Sequence, residues 1–277
     1  MVEVGKFNTL KIVKEVDFGV YLDGDDLGTI LLPKREVPEG ASIGQALEVF
    51  IYFDSKDLLI ATTRKPKLEV GRCALLRVAD INQAGAFMDW GLPKELLVPY
   101  NEQQKPMQEG FSYVVYAFHD TSSDRIAASS KLSHYLEEEA PWLKPQQEVS
   151  LLVASRTELG YKAVVDDQYL GLIFREDAFR PLKIGERLAG SIKTIRPDGK
   201  IDLLISAPAG KGRDALSEQI LDHLRSQGGR STLTDKSDPE LIYKTFKVSK
   251  KKYKQALGGL YKQKQITISS EQITLTS

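Results

Sequence analysis

A chain of 277 residues, 42% hydrophobic and 27% charged, with 38 basic against 38 acidic side chains, has the make-up of a folded globular protein and excludes a disordered or fibrous one. No apolar run nears the roughly 20 residues of a membrane helix, and Met1-Val2-Glu3-Val4-Gly5-Lys6 lacks the basic and apolar regions of a secretory signal, so a cytoplasmic protein without membrane contact is expected. The single cysteine, Cys73, excludes an internal disulfide, fits a reducing compartment, and reads as a small buried strand residue.

The zero net charge conceals an asymmetry. Residues 211–277 carry 13 Lys/Arg against 7 Asp/Glu, leaving 25 against 31 in the rest. An anionic partner is steered towards that basic end. The acidic remainder has to hold nucleic acid more by stacking than by bulk charge.

Residues 1 to about 127 contain one segment twice without a gap: a shift of 66 residues carries Gly5 to Gly71, Gly19 to Gly85, Pro33 to Pro99, Gly44 to Gly110 and Ile60 to Ile126. The first copy reads as five short strands, at 7–13, 19–23, 28–32, 47–53 and 58–63, separated by turn words such as Gly24-Asp25-Asp26 and Pro38-Glu39-Gly40. Five strands with an early glycine-marked bend suit a closed barrel of the oligonucleotide-binding (OB) type, although an SH3-like barrel shares the pattern.

A third, eroded copy follows at a shift of 75, with Gly160, Gly185 and Ile201 answering Gly85, Gly110 and Ile126. Gly171-Leu172-Ile173-Phe174 replaces the Leu-Leu-Pro word there and calls for a one-residue shift. Between copies two and three, residues 128–146 read as a short helical insertion.

Phe18-Gly19-Val20-Tyr21-Leu22-Asp23, a turn, then Gly28-Thr29-Ile30-Leu31-Leu32-Pro33 resembles the S1 RNA-binding domain, whose signature runs Phe-Gly-Ala-Phe-Val-Asp and Gly-Leu-Val-His-Ile-Ser. That resemblance implies a face of aromatics and a histidine on which single-stranded RNA stacks. By position it implies Phe18 and Tyr21 in copy one and Phe87 in copy two, where Ala84 replaces the first aromatic. Tyr161 and Phe174 are the nearby candidates in copy three. The histidine falls at or beside Pro33 and Pro99 and is missing, so binding is expected to be weak and uneven, with copy one the best. Tyr21, Phe87 and Phe18 also fit as barrel core. Exposed rings accept any base, at about 1–3 kcal/mol per stacked base.

After Ala207-Pro208-Ala209-Gly210-Lys211-Gly212, which reads as a linker, the pattern becomes helical. One helix follows Asp214, with Leu216, Ile220, Leu221 and Leu224 on one face, and ends at Gly228-Gly229. A second starts at Pro239 and carries Leu241, Ile242 and Phe246; a third, capped by Ser249, runs from Lys250 to about Leu260. Strands 266–268 and 272–275 close a hairpin. Three helices then a hairpin is the order of a winged helix-turn-helix, whose third helix can meet a groove or phosphates. Its first turns hold Lys250, Lys251, Lys252 and Lys254, which add charge to a helix N-terminus already favourable to phosphate. A solvated helix face is the plainer reading of the same lysines.

The expected fold is therefore mainly β with a C-terminal α+β domain: barrels over 1–66, 67–145 (with the insertion) and 146–210, then a winged helix over 211–277. His119, His134 and His223 are scattered, Ala209-Gly210-Lys211-Gly212-Arg213 lacks a phosphate-loop pattern, and Asp23, Asp25 and Asp26 fit a turn. No metal, cofactor or catalytic set is expected. Three S1-like barrels and a winged helix at this length resemble the bacterial conserved virulence factor B family. The resemblance implies a non-catalytic RNA-binding protein affecting expression of virulence and other genes. A DNA-binding transcription regulator and a protein scaffold on a ribosome or RNA-degradation complex are the alternatives.

Overall fold

The structure is a computed structural model that describes residues 1–178, 180–206, 212–246, 248–269 and 271–276, with 212–215 described by backbone alone. Of the expected linker 207–212, residues 207–211 lie outside the described residues and Gly212 opens a helix. The chain divides into two compact units, residues 1–205 and 206–277.

The first barrel uses β1 (Phe7–Val16), β2 (Gly19–Asp23), β3 (Thr29–Pro33), β4 (Ala46–Phe53) and β5 (Leu59–Thr62) in the closed order β1-β2-β3-β5-β4. Alternation along these strands buries Leu10, Ile12, Val20, Leu22, Ile30, Leu32, Val49 and Ile51 as one core. β3 pairs parallel with β5, which makes this an OB-type barrel and removes the SH3-like alternative, an antiparallel design.

The second barrel repeats this with β6 (Cys73–Asn82), β7 (Gly85–Asp89), β8 (Leu96–Pro99), β9 (Ser112–Asp120) and β10 (Arg125–Ser129). The third does so with β11 (Glu148–Arg156), β12 (Gly160–Val165), β13 (Tyr169–Phe174), β14 (Arg187–Ile195) and β15 (Ile201–Ile205). Every first strand breaks register at the same place, between Ile12 and Lys14, Val78 and Asp80, and Val153 and Ser155.

Gly19, Gly85 and Gly160 open the second strands at φ 156°, 149° and 157°. A Cβ on each would run into the carbonyl oxygen of Leu32, Val98 or Ile173 across the sheet. Only glycine allows this approach, which is why these three anchors outlast the erosion of copy three.

Residues 128–146 hold no α-helix, contrary to the sequence expectation. Beyond the end of β10 they contain a three-residue 3-10 turn, Leu132–His134, and extended chain bonded to barrel three. The Glu137 N–H donates to Gln168 O (3.0 Å), Leu170 N–H to Glu137 O (2.8 Å) and Ala140 N–H to Gly199 O (3.1 Å). The helix-like apolar spacing arises because Leu136 enters a cluster shared by barrels two and three while Leu143 packs on the core of barrel three.

The outward pair on the fourth strand explains how successive barrels join. In barrel one it is Phe50 and Tyr52, fully covered and edge-on to Trp90 of barrel two at 5.8 and 6.4 Å. Lys94 and Arg125 of barrel two also reach the Asp57 carboxylate of barrel one at 2.6 and 2.5 Å. The equivalent pair in barrel two, Tyr116 and Phe118, is stacked under Tyr135 at 5.0 and 4.7 Å. In barrel three Ser191 keeps the first of these places, and a break in register after Ile192 leaves Lys193 unpaired at the second.

The second unit contains α1 (Gly212–Ser226), β16 (Arg230–Ser231), α2 (Pro239–Phe246), α3 (Lys250–Lys262), β17 (Ile266–Ile268) and β18 (Ile273–Leu275), with sheet order β16-β18-β17. Two-residue β16 carries no periodicity and escaped sequence reading. Ile220, Leu224, Ile242, Phe246, Tyr253, Leu257, Leu260, Ile266 and Ile273 form the core. Leu241, expected with Ile242 and Phe246, instead lies on the exposed side of α2. Gly258 and Gly259 sit inside α3 and do not end it. The helix is held there by its buried face, which outweighs their low propensity.

Candidate nucleic-acid interface

One outward row, read across the first three strands, defines the matching surface of each barrel. In barrel one, register places Lys14, Tyr21 and Leu31 side by side. Phe18, 58% exposed, meets Tyr21 edge to face at 6.4 Å and 84°. Lys34 follows, its N–H donating to Phe18 O at 2.9 Å. Lys14 and Lys34 are exposed and make no ion pair among the described residues. The nearby Arg35 and Arg64 are engaged by the buried Glu36 carboxylate at 3.7 and 3.3 Å, which also accepts from the Thr62 hydroxyl. Thus barrel one offers an exposed ring, a half-buried ring and two unengaged ammonium groups. Phe18 is not core, and Tyr21 points outward opposite Lys14.

In barrel two the row reads Asp80, Phe87, Leu97. Phe87 keeps the place of Tyr21, half-buried and outward, but Ala84 stands for Phe18 and Asp80 for Lys14. Tyr100 stands for Lys34, and its hydroxyl is spent on Asn82 O at 2.7 Å.

Barrel three corrects two expectations. Its row reads Ser155, Lys162, Leu172, so Lys162 and not Tyr161 takes the Tyr21 place. Tyr161 falls at the inward register of Val20 and Ala86; it packs on the core, and its hydroxyl accepts from Leu182 N–H at 3.2 Å. Phe174 pairs with Gly160 as Pro33 pairs with Gly19, so no one-residue shift is present. The Phe174 ring already receives Lys193 at 5.7 Å and Arg196 at 5.4 Å. Those cations pair in turn with Asp177 at 2.6 Å and Asp202 at 2.7 Å. Lys162 is likewise held by Glu138 at 2.5 Å. This surface is aromatic and basic in sequence, yet its charges are neutralised from within.

In the second unit Ser249 caps α3, its hydroxyl accepting from Lys252 N–H at 3.4 Å. Of the four lysines, Lys250 donates to Lys236 O at 3.2 Å and Lys254 reaches Asp235 at 3.6 Å. Lys251 and Lys252 are exposed and have no ion pair among the described residues. Intervening Tyr253 points inward, donating to Leu233 O at 2.7 Å.

Lys14 and Asp80 carry no signal in the sequence because alternation fails after Ile12 and Val78, and Lys34 carries none because it lies in the turn beyond the end of β3. Only the bulge after Ile12 brings Lys14 opposite Tyr21. Cys73 is buried as expected, and burial, then Asp167, pushes its thiol up to about 12. Among the described residues no group of three or more His, Cys, Asp or Glu could hold a metal ion, and no helix is long and apolar enough to cross a membrane.

Comparison with known proteins adds relatives to this geometry. An S1 domain family model matches residues 4–64, and a CvfB-like winged helix domain model matches residues 218–275. YitL of Bacillus subtilis is 29% identical over 93% of this chain and 89% of its own length. Proteins named conserved virulence factor B from Staphylococcus saprophyticus and Staphylococcus aureus are 25% and 27% identical, each over 99% of this chain and 94% of theirs. A solved multidomain protein with nucleic acid binding domains from Streptococcus pneumoniae is 25% identical, covering 99% of this chain and 98% of that one, at a TM-score of 0.42.

Proposed function

We infer that this chain, similar over nearly its whole length to the conserved virulence factor B proteins, is a non-catalytic nucleic-acid-binding regulator that takes single-stranded RNA and acts on gene expression after transcription, virulence genes included. The observation that carries this reading is the barrel-one surface: exposed Phe18 against Tyr21, flanked by the unengaged ammonium groups of Lys14 and Lys34. Rings accept bases of any sequence and lysines accept phosphates, the pairing that single strands require. A duplex hides its base faces and gains nothing from Phe18. Lys251 and Lys252, at the N-terminus of α3, supply sequence-independent phosphate contacts in the second unit.

Fluorescence anisotropy on the full chain with matched single-stranded RNA, single-stranded DNA and duplex DNA, over a salt series, tests it. Single-stranded RNA is expected to bind tightest, with affinity falling as salt rises. Tighter binding to duplex DNA would overturn the reading in favour of a transcription regulator led by the winged helix.

A further inference from the structure

We propose that the side chain facing the central aromatic across β1 and β2, or β6 and β7, decides which copy of the duplicated barrel takes a strand: Lys14 opens barrel one, and Asp80 closes barrel two. The proposal rests on the single-strand reading above and assigns it to one barrel.

Lys14 pairs with Tyr21, and Asp80 pairs with Phe87, at the same step after the same bulge. Cross-strand partners on one face are nearest neighbours, so a phosphate beside a base stacked on either ring meets that residue first. In barrel one it meets an ammonium, and in barrel two an exposed carboxylate with no ion-pair partner among the described residues.

Two further differences run the same way. Ala84 removes the exposed ring that Phe18 provides, and Tyr100, tied to Asn82, replaces Lys34. The fold does not require any of this divergence, because all three positions are on the surface while the inward residues of the same strands stay apolar. In barrel three the pair is Ser155 and Lys162, the latter neutralised by Glu138, so that surface is neither opened nor closed by charge.

The test uses the full chain and a fluorescein-labelled oligouridine of about ten nucleotides, long enough for one OB surface. Lys14→Asp is expected to weaken binding about tenfold at low salt and to flatten the log K against log salt slope by roughly 0.7, one phosphate contact on a single strand. Lys14→Arg keeps the wild-type affinity. Ala84→Phe with Asp80→Lys is expected to raise the number of strands bound per chain. With 4-thiouridine in the probe, it moves new photo-crosslinks to the peptide containing Phe87. Unchanged affinity in Lys14→Asp, or wild-type crosslinks as strong at Phe87 as at Tyr21, overturns the proposal while leaving RNA binding intact. A wild-type chain that binds none of the single strands refutes the RNA reading itself, and the assignment falls with it.

Discussion

Barrels one and two keep the same apolar positions inside and differ at three places on one surface. Leu10, Ile12, Leu22, Ile30 and Leu32 close the first barrel; Leu76, Val78, Met88, Leu96 and Val98 close the second, and the bulge and glycine bend coincide. Lys14, Phe18 and Lys34 on the surface of one become Asp80, Ala84 and Tyr100 on the other. Duplication thus preserved the constraint of closing a sheet, which every copy must meet, and released the surface, which only a binding copy needs. The fourth strand shows the same division: an aromatic pair where another element packs on it, but Ser191 and a register break at Lys193 in the third barrel.

The largest expected effect breaks the join between the two barrels. Trp90→Ala removes the ring that covers Phe50 and Tyr52 and should cost about 3–5 kcal/mol in urea unfolding. Next, Gly19→Ala and Gly85→Ala should destabilise by similar amounts, about 1–3 kcal/mol each, since both strain the same positive-φ approach to a carbonyl. A large difference between them would show that the barrels are not built alike. Smaller still, Lys251→Ala with Lys252→Ala should lower the salt slope of RNA binding by roughly 1.4 while leaving the Tyr21 stacking contribution intact.

The effect that is smallest near neutral pH concerns Cys73, whose thiol is raised from 9.0 to about 12 in the folded chain. An unfolded thiol ionises first as pH rises, so this group's contribution is complete below about pH 9 and is lost as pH climbs towards 12. Thiol titration near neutral pH should find Cys73 unreactive until the protein is denatured.

The repeat made the barrels legible because glycines at forced φ and alternating apolar strands leave a period in the sequence. The winged helix was legible from Ser249, Pro239 and the helical spacing of Ile220, Leu221 and Leu224. Reading failed where tertiary contacts decide. Leu132, Leu136 and Leu143 have helical spacing but serve separate clusters, and two-residue β16 has no period to read. At the candidate site, Phe18, Tyr21 and Phe87 were visible as aromatics at matched places. Lys14 and Asp80 were not, because their facing depends on a bulge. Tyr161 and Phe174 looked like platform residues because sequence shows ring type but not whether a ring faces inward or is already covered by Lys193 and Arg196.

The most direct measurement is a paired anisotropy titration of single-stranded RNA against Tyr21→Ala and Phe87→Ala chains of confirmed fold. Loss of one stacked base, about 1–3 kcal/mol, is expected for Tyr21→Ala, with Phe87→Ala within twofold of wild type. Equal losses, or a loss confined to Phe87→Ala, would contradict the assignment of binding to barrel one.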